Sequence, residues 1–470
     1  MATESLGLNE RALGFWDLLL QSVSQISPIG AMIANMTAIA AYAGSLMPMT
    51  FMFAGVAFVF LLVILIQFSG RVVSAGGFYG YARAGLGERW GSRTGWLMVI
   101  TYFMVVSFFS LFIAGVLIPQ TIVYFFGVQI PGWTWIPLLI IIQGLIWGTA
   151  YLSIKGSLRY SLVTMTVGVV TMAVAAIAII IHAGHKNDPA LFFNFGALHG
   201  SKLSGVGVGI IFAMLSLGGA SSAIYLSEET PTPKKTVTRA VIWAFAICTF
   251  LFLLSSYALT VGWGPTQMST FAKASLPGID LTRAAMGPIM AGLLVFFAFN
   301  AGFTGSLAPA NAVARIVFAM ARDQQIFPKQ LSYVHPVHRT PTRAISFLGV
   351  GSLSVGIIAG LALGPLTGFA ILAITATVAH FTAHILVNIS LPVYSAKEKR
   401  LSVIKHILPS AVASILILMA FYLIMFPIRF PVEWGPIAVI ALLLIGEWRL
   451  RHPADVRVPA DATLAVKDLV

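Results

Sequence analysis

Long apolar segments separated by short polar gaps recur along the chain from Leu13 to Leu450. A helix needs about 20 predominantly apolar residues to cross the hydrocarbon core of a bilayer. Only the four residues 363–366 separate the ninth apolar segment from the tenth, so a count of eleven helices stays open beside twelve. The pattern predicts twelve membrane-spanning helices, at 15–43, 46–69, 93–126, 133–153, 158–182, 204–227, 239–263, 286–319, 343–364, 366–394, 402–426 and 432–449.

Two of these segments are interrupted by helix-breaking residues. The first contains Ser27-Pro28-Ile29-Gly30, and the sixth contains a Gly-Gly pair within residues 217–221. Unwound backbone inside a membrane is tolerated only where it is buried in protein or lines a cavity. Interruptions at corresponding places in two halves of a chain are typical of the binding site of a secondary transporter. The alternative is that these glycines only allow close helix packing.

The composition agrees with a membrane protein: 58% of the 470 residues are hydrophobic, 9% are charged and the mean hydropathy is +0.92. The net charge of +13 does not indicate a nucleic-acid partner, because the basic residues alternate between loops. If the N-terminus is cytoplasmic, 23 Lys and Arg residues lie inside and five outside. This asymmetry predicts that both termini are in the cytoplasm and that the protein spans the cell membrane many times.

The segments outside the predicted helices are short. Residues 1–14 contain two acids and do not resemble a cleaved signal peptide, so they are expected to form a cytoplasmic segment. Residues 451–470 are expected to form a mobile cytoplasmic tail. Glu228 and Glu229 precede Lys234, Lys235 and Arg239, which suggests a solvated charge cluster. Residues 74–81 suggest an amphipathic linker whose tyrosines anchor at the membrane interface.

Three motifs in order along the chain resemble the amino acid, polyamine and organocation superfamily of permeases. They are Ala75-Gly76-Gly77-x-Tyr79, the acidic helix end at 226–230, and the stretch 311–323 followed by Thr340-Pro341. The resemblance runs from about Leu13 to Tyr394. It implies an all-α, LeuT-like fold with a five-plus-five inverted repeat. In that fold residues 15–182 form helices 1–5, residues 204–394 form helices 6–10, and residues 402–450 add helices 11 and 12.

The resemblance also implies a substrate site at mid-membrane, between the interrupted helices 1 and 6. Half-helix N-termini offer N–H donors to a carboxylate, and half-helix C-termini offer carbonyls to an ammonium group. An amino acid could therefore be held without charged side chains. The predicted site comprises Ile29, Gly30, Ala31 and Met32 on the donor side, and Leu217, Gly218, Gly219, Ala220 and Ser221 on the other side.

The chain departs from the family pattern at three positions. Pro28 replaces a small residue that would carry an N–H donor. Ala220 and Ser221 stand where relatives often have a bulky aromatic residue and an acid. The helix 5 lysine of some proton-coupled relatives would fall near Gly168, so that lysine is absent. These departures leave the size preference and the coupling mechanism open.

Two pairs of residues are candidates for ion coupling. Thr304 and Ser306 lie near the level where sodium-coupled relatives hold an ion between helices 1 and 8. His380 and His384 lie one helical turn apart, and histidine titrates near physiological pH, so they are the candidates for a coupled proton. Both pairs have a structural alternative, because such side chains also form hydrogen bonds between membrane helices.

The sequence favours a secondary active transporter that moves a small substrate, an amino acid before others, by alternating access. An amine, a polyamine or another small metabolite is the alternative substrate. A channel would need a continuous polar lining, and a membrane enzyme would need acids beside the histidines. No phosphate-binding loop and no cofactor site is indicated. Proton coupling, sodium coupling, exchange, uniport and the oligomeric state stay open.

Overall fold

The computed structural model describes residues 13–152, 154–198, 201–426 and 433–451. Within these ranges the chain forms helices and turns and no β-strand. The α-helices are α1 (Phe15–Ile26), α2 (Pro28–Gly30), α3 (Met36–Ala43), α4 (Met47–Ser69), α5 (Phe78–Leu86), α6 (Glu88–Phe112), α7 (Ile118–Phe126), α8 (Trp135–Leu152), α9 (Ile154–Ala183), α10 (Ser201–Leu217), α11 (Pro233–Trp263), α12 (Met268–Phe271), α13 (Pro277–Met286), α14 (Pro288–Arg322), α15 (Thr342–Leu363), α16 (Pro365–Lys397), α17 (Leu408–Met425) and α18 (Trp434–Arg451).

Shorter helical segments join several of these helices. The π-helical segments are Ala31–Asn35, Ile113–Leu117 and Val403–Ile407. The 3₁₀ segments are Gly44–Leu46, Gly184–Lys186, Pro189–Phe192, Phe195–Ala197, Gly218–Glu229, Pro265–Gln267 and Lys329–Ser332.

Ten segments of the described chain are long and apolar enough to cross a membrane, which makes this a multi-pass membrane protein. One of the ten, Phe15–Ser69, is 55 residues long, far more than one crossing needs. It contains a turn at Gly44, where φ is +55°, and the helices on either side of the turn, α3 and α4, both pack against α10. Gly364 likewise separates α15 from α16, which are two of the ten segments. The count of twelve, the inverted repeat and the side of the termini stay predictions.

The first interruption lies at Ser27. This residue adopts a left-handed conformation, φ 51° and ψ 64°, between α1 and α2. A residue with a β-carbon adopts it at a cost of about 1–2 kcal/mol. The hydroxyl of Ser27 compensates by donating a 2.9 Å hydrogen bond to the carbonyl of Ala301 in α14. The chain then continues as helix from Pro28 to Ala43.

The second interruption takes a different form from the unwound turn that the sequence suggested. The α-helix α10 ends at Leu217, and residues Gly218–Glu229 continue as a 3₁₀ helix. Twelve residues is long for a 3₁₀ helix, which seldom exceeds four. Ser22 of α1 supports the segment, because its hydroxyl donates to the carbonyl of Ala220 at 2.9 Å and accepts from the amide of Ala223 at 3.1 Å.

The interrupted helices occupy the centre of the molecule. Helix α1 packs against the 3₁₀ segment, α11 and α14, while α6 packs against α14 and α16. Apolar side chains such as Ile181, Phe250 and Ile358 are exposed on the outer helices, as expected for a surface that contacts lipid. Of the predicted terminal segments, 1–12 and 452–470 lie outside the described residues.

The predicted interfacial linker is instead buried inside the protein. Residues 78–86 form α5, which packs against α6 and α16. Tyr81 is buried and stacks on Phe68 with ring centroids 4.8 Å apart. Tyr79 is also buried and donates a 2.7 Å hydrogen bond to Asp323. Burial, and then this bond to a carboxylate, raises the pKa of the Tyr79 phenol above its ordinary value.

The predicted solvated cluster around Glu228 and Glu229 is also wrong. Glu229 is fully buried and forms an ion pair with Arg315 of α14, with 2.5 Å between Oε1 and Nε. Glu228 accepts the amide of Ala75 at 2.8 Å and pairs with Arg322 at 3.1 Å. The partners of both acids therefore lie in α14 and in the loop before α5, against which the 3₁₀ segment packs these residues.

Candidate functional site

A cavity of about 260 Å³ lies beside the two interruptions. Its walls come from α1 to α3, α6, α10, the 3₁₀ segment, α14 and α16. The lining residues are Gln25, Ile26, Gly30, Ala31, Ile33, Ala34, Asn35, Ala38, Tyr42, Thr101, Tyr102, Val105, Phe108, Phe109, Phe112, Ile113, Leu117, Phe212, Leu215, Ser216, Gly218, Gly219, Ala298, Gly302, Phe369, Ala370, Ala373, Ile374 and His380.

The two interruptions touch each other at the cavity. A β-carbon placed on Gly219 would lie 2.5 Å from the amide nitrogen of Ile26 and 2.7 Å from the carbonyl carbon of Gln25. Such distances are shorter than real side-chain contacts, so glycine is required for this approach of two backbones. Four of the predicted substrate-binding residues line the cavity: Gly30, Ala31, Gly218 and Gly219.

The other five predicted residues are buried but are not among the lining residues. They are Ile29, Met32, Leu217, Ala220 and Ser221. Two of the carbonyls assigned to an amine already accept hydrogen bonds, that of Gly218 from Ser221 and that of Ala220 from Ser22. A carbonyl has two lone pairs, so each retains capacity for a second donor.

The position of the absent helix 5 lysine is occupied by protein. A β-carbon on Gly168 would lie 2.9 Å from Cδ1 of Ile29 and 3.3 Å from Cδ1 of Phe297. Gly168 therefore lets α9 approach the start of α2 closely. A lysine side chain at this position would displace the interrupted helix itself.

Polar groups in the cavity are few. The side-chain amide of Gln25 is buried and its Oε1 has no hydrogen-bond partner among the described residues. Tyr102 also lines the cavity, and its buried hydroxyl has no hydrogen-bond partner among the described residues. Farther along the cavity, Asn35 donates to the hydroxyl of Ser216 at 2.7 Å. These are groups that can orient a polar ligand without adding charge.

Aromatic rings form much of the remaining wall. Phe108 and Phe109 lie with ring centroids 4.6 Å apart, and Phe112 and Phe369 with centroids 5.0 Å apart. The described residues that line the cavity include no Asp, Glu, Lys or Arg. The sequence analysis missed this wall, since a phenylalanine in an apolar helix gives no signal that separates a cavity from lipid.

The cavity extends toward one end of the bundle. Its lining reaches Tyr42, two residues before the turn at Gly44, and Tyr42 stacks on Phe212 with centroids 5.9 Å apart. In the opposite direction the lining ends near Gln25, and beyond it lies the buried pair of Glu229 and Arg315. The cavity thus lies on the Gly44 side of the interruptions, and the Glu229 side is packed.

One of the two candidate histidines borders the cavity. Nε2 of His380 would lie 2.9 Å from a β-carbon on Gly218. His384 lies one turn farther along α16, and the centroid of its ring is 4.7 Å from that of His380 and 4.8 Å from that of Phe78. Both nitrogens of His380 and Nε2 of His384 are buried without a hydrogen-bond partner in the described parts of the chain.

The sodium candidates are not brought together into a cation site. The hydroxyl of Thr304 donates to the carbonyl of Asn300 at 3.0 Å and contacts the sulfur of Met165 at 3.1 Å. The hydroxyl of Ser306 donates to the carbonyl of Gly302 at 3.0 Å. The two bonds to carbonyls are within α14, and neither residue is among those that line the cavity.

Comparisons with known proteins agree with this architecture. The sequence profile described as "Amino acid permease" matches residues 13–446. The branched-chain amino acid permease BcaP of Bacillus subtilis is 27% identical over 361 residues, 74% of either chain. The methylthioribose transporter of the same organism is 27% identical over 389 residues, 78% of this chain and 81% of that one.

A third relative is the low-affinity putrescine importer PlaP of Escherichia coli, 26% identical over 318 residues, which are 65% of this chain and 66% of that one. The names of these three relatives describe transporters of different small molecules, and none describes an enzyme. The family match covers nearly the whole chain and includes both interrupted helices. The chain therefore belongs to the amino acid permease family and is a permease-type membrane transporter.

Proposed function

We propose that this permease carries a neutral amino acid with an apolar side chain across the cell membrane by alternating access. The observation that carries the proposal is the uncharged cavity at the junction of the two helix interruptions. Both termini are cytoplasmic in this proposal, and twelve helices form the predicted inverted repeat with two helices added. The cavity then faces the outside, because it opens on the Gly44 side.

The backbone at the interruptions suits the two charged ends of an amino acid. Gly30 lies in the first turn after the left-handed Ser27, where a helix presents N–H groups and a positive dipole end to a carboxylate. The amide of Ala31 already donates to the carbonyl of Ser27 at 2.9 Å. Gly218 and Gly219 directly follow α10 as the first residues of the 3₁₀ segment, where a carbonyl that already accepts one hydrogen bond keeps a second lone pair for an ammonium group. Gln25 adds a free buried acceptor between them.

The aromatic wall selects the rest of the substrate. An aliphatic or aromatic side chain gains from burial against Phe108, Phe109 and Phe369, at about 25 cal/mol per Å² of apolar surface. A second amino group would be buried without a carboxylate to pair with, which is costly in a membrane interior. This disfavours putrescine-like amines, the alternative class from the sequence.

A neutral metabolite other than an amino acid is the second candidate. The methylthioribose transporter is as similar to this chain as BcaP. An uncharged, largely apolar cavity with a few hydrogen-bonding groups would also accept a thioether sugar. The two candidates differ in their charged ends, which only the amino acid carries.

His380 and His384 are the proposed carriers of a coupled proton. His380 borders the cavity and contacts the second interruption, so a charge on it would act directly on substrate and on helix winding. Thr304 and Ser306 provide less support for sodium, since their hydroxyls bond to carbonyls of their own helix. If transport depends on neither protons nor sodium, the protein works by exchange or as a uniporter.

Uptake into liposomes that contain the purified protein tests the proposal. Labelled leucine should accumulate saturably, unlabelled leucine and phenylalanine should compete, and putrescine should not. Phe369→Ala should weaken leucine uptake at least about 10-fold, as expected when a buried aromatic contact is removed. Phe347→Ala, at an exposed ring outside the cavity, is the control. Saturable putrescine uptake or single-channel conductance would overturn the proposal.

A further inference from the structure

A second cavity, also of about 260 Å³, shares no lining residue with the substrate cavity. It is formed where the C-terminal ends of α4 and α16 meet the first turn of α11. In contrast to the substrate cavity it is polar. Its lining residues are Gly70, Arg71, Lys234, Tyr394, Glu398 and Arg400.

The charges around this cavity are not balanced. Three cations face one carboxylate, and none of the three forms an ion pair with an acid in the described parts of the chain. Arg71 makes only a long 3.4 Å hydrogen bond to the hydroxyl of Ser395. By contrast, Arg93 and Arg315 elsewhere both have carboxylate partners. Unpaired cations that surround a cavity attract an anion.

Neighbouring groups increase the positive potential. The carbonyl of Lys405 accepts a 2.6 Å hydrogen bond from Gln67 of α4, which holds the segment before α17 beside this cavity. Lys405 and Arg71 are both near enough to His406 to act on its charge. Lys234 lies in the first turn of the 31-residue α11, whose helix dipole places partial positive charge at that end.

The surroundings of the cavity are apolar and exposed. Val393 precedes Tyr394 on α16, and Val403 and Ile404 follow Arg400 at the start of the next helix; all three side chains are exposed. In a membrane such residues contact acyl chains, while the cations lie at the level of the headgroups. A ligand that fits both surfaces has an anionic head and a hydrocarbon tail.

We propose that this cavity binds the phosphate group of an anionic phospholipid. The guanidinium groups of Arg71 and Arg400 are suited to bidentate contact with phosphate oxygens, Lys234 adds a point charge, and the Tyr394 hydroxyl can donate a further bond. Basic pockets between membrane helices at the cytoplasmic side are typical sites for such headgroups. The site is independent of the transported substrate and ties α4, α11 and α16 together.

The test compares the full-length protein with a triple variant, Arg71→Gln/Lys234→Gln/Arg400→Gln. A matched control, Arg89→Gln/Arg239→Gln/Lys329→Gln, removes the same charges from exposed residues on the same predicted face that do not line the cavity. Each protein is titrated with phosphatidylglycerol in nanodiscs that otherwise contain phosphatidylcholine, and bound lipid is counted by native mass spectrometry. Inorganic phosphate is added in a separate series.

The parent and the control should retain phosphatidylglycerol in preference to phosphatidylcholine, and the triple variant should bind it about 100-fold more weakly. If the triple variant does not fold, Arg400→Gln alone, at an exposed position, should still weaken binding about 5-fold. Equal retention of both lipids by the parent, or equal loss in the control, would overturn the proposal. If inorganic phosphate stabilises the parent protein, and the parent shows no preference between the two lipids, the ligand of the cavity is free phosphate and the proposal of a lipid would be overturned.

Discussion

Nε of Arg315 lies 2.5 Å from Oε1 of Glu229, and both side chains are almost completely buried. Glu229 is the last residue of the 3₁₀ segment and Arg315 belongs to α14, so the pair joins the second interrupted helix to the helix that also holds Ser27. A second bond runs from Nη1 of Arg315 to the carbonyl of Asn311 at 2.9 Å. The pair closes the molecule on the side opposite the cavity.

Breaking this pair should destabilise the protein strongly. Glu229→Gln leaves the Arg315 charge buried without a partner, which typically costs about 3–5 kcal/mol. The apparent melting temperature of the variant in detergent should therefore be lower than that of the parent. It is measured by size-exclusion chromatography with fluorescence detection after heating. The double variant Glu229→Leu/Arg315→Met removes both charges and should recover most of the loss.

Glu228→Gln is the control for that series. Its partner Arg322 is half-exposed, so the loss should be far smaller, within about 1 kcal/mol for the ion pair itself. If Glu229→Gln and Glu228→Gln shift the melting temperature equally, the buried pair does not have the structural role given to it here.

Tyr79→Phe should remove a hydrogen bond whose contribution to the free energy of unfolding is independent of pH over the neutral range. Its hydroxyl donates to Asp323, and hydrogen bonds to charged groups contribute about 1.5–3 kcal/mol. Because the pKa of this phenol is raised in the folded protein, the contribution is fully present below the unfolded pKa of about 10. It is lost only as the pH rises toward the folded pKa.

Thermal melts of parent and Tyr79→Phe between about pH 6 and pH 9 should therefore differ by a constant amount. Tyr422→Phe, at an exposed ring of α17, should match the parent throughout. A difference between parent and Tyr79→Phe that shrinks already near neutral pH would contradict the assignment of the phenol as a neutral donor.

Gly30 and Gly219, two of the glycines that line the cavity, should respond differently to valine. At Gly30 a β-carbon would lie 2.7 Å from Oγ and 3.6 Å from Cβ of Ser27, and 3.9 Å from Phe109, so a side chain has to shift but none of these neighbours is a main-chain atom. Gly30→Val should fold and bind substrate at least about 10-fold more weakly. Gly219→Val meets the main chain of Gln25 and Ile26, so it should also lower the melting temperature.

Gly292→Val serves as the control, because a β-carbon there has no neighbour within 4 Å. Binding is measured as the shift in melting temperature with added substrate, which stabilises the folded state by mass action. An unchanged shift in a folded Gly30→Val protein would show that the ligand does not occupy this cavity.

Histidine substitution tests the coupling. If His380 or His384 carries the proton, an inward proton gradient should accelerate uptake and removal of sodium should have no effect. The double variant His380→Asn/His384→Asn should abolish the pH effect but retain counterflow exchange, since a titrating group biases a two-state equilibrium only when its protonation differs between the states. The pH effect and the counterflow exchange are both measured as uptake into liposomes, with imposed proton or sodium gradients.

The control pair is His335→Asn/His338→Asn. These rings lie with centroids 4.5 Å apart, between α14 and α15 and away from the cavity. Their loss should leave the pH dependence intact. A parent protein that is indifferent to pH, or that requires sodium, would leave His380 and His384 as packing residues.

The sequence was informative where the fold depends on local backbone chemistry. Pro28 and the Gly218-Gly219 pair disturb a helix on their own, so both interruptions could be located to within a residue or two. The Glu229–Arg315 pair could not be predicted, because its members lie 86 residues apart and a charge near a helix end looks the same whether solvated or buried.

The aromatic wall was missed for a related reason. Phe109 and Phe369 lie in helices that are apolar on every side, so no periodicity separates the face toward the cavity from the face toward lipid. The family resemblance supplied the helices that surround the site but not the residues that shape it. Those depend on the rotation of each helix, which packing determines.

The winding of residues Gly218–Glu229 sets the distance between the cavity and its closed side. A 3₁₀ helix rises about 2.0 Å per residue and an α-helix about 1.5 Å, so these twelve residues span about 6 Å more than they would as an α-helix. Rewound as an α-helix, the segment would draw Glu229 back by about one turn and swing its carboxylate around the axis. With α14 in its present place, Arg315 would then be out of reach, so this one ion pair and the pitch of this one segment can only change together.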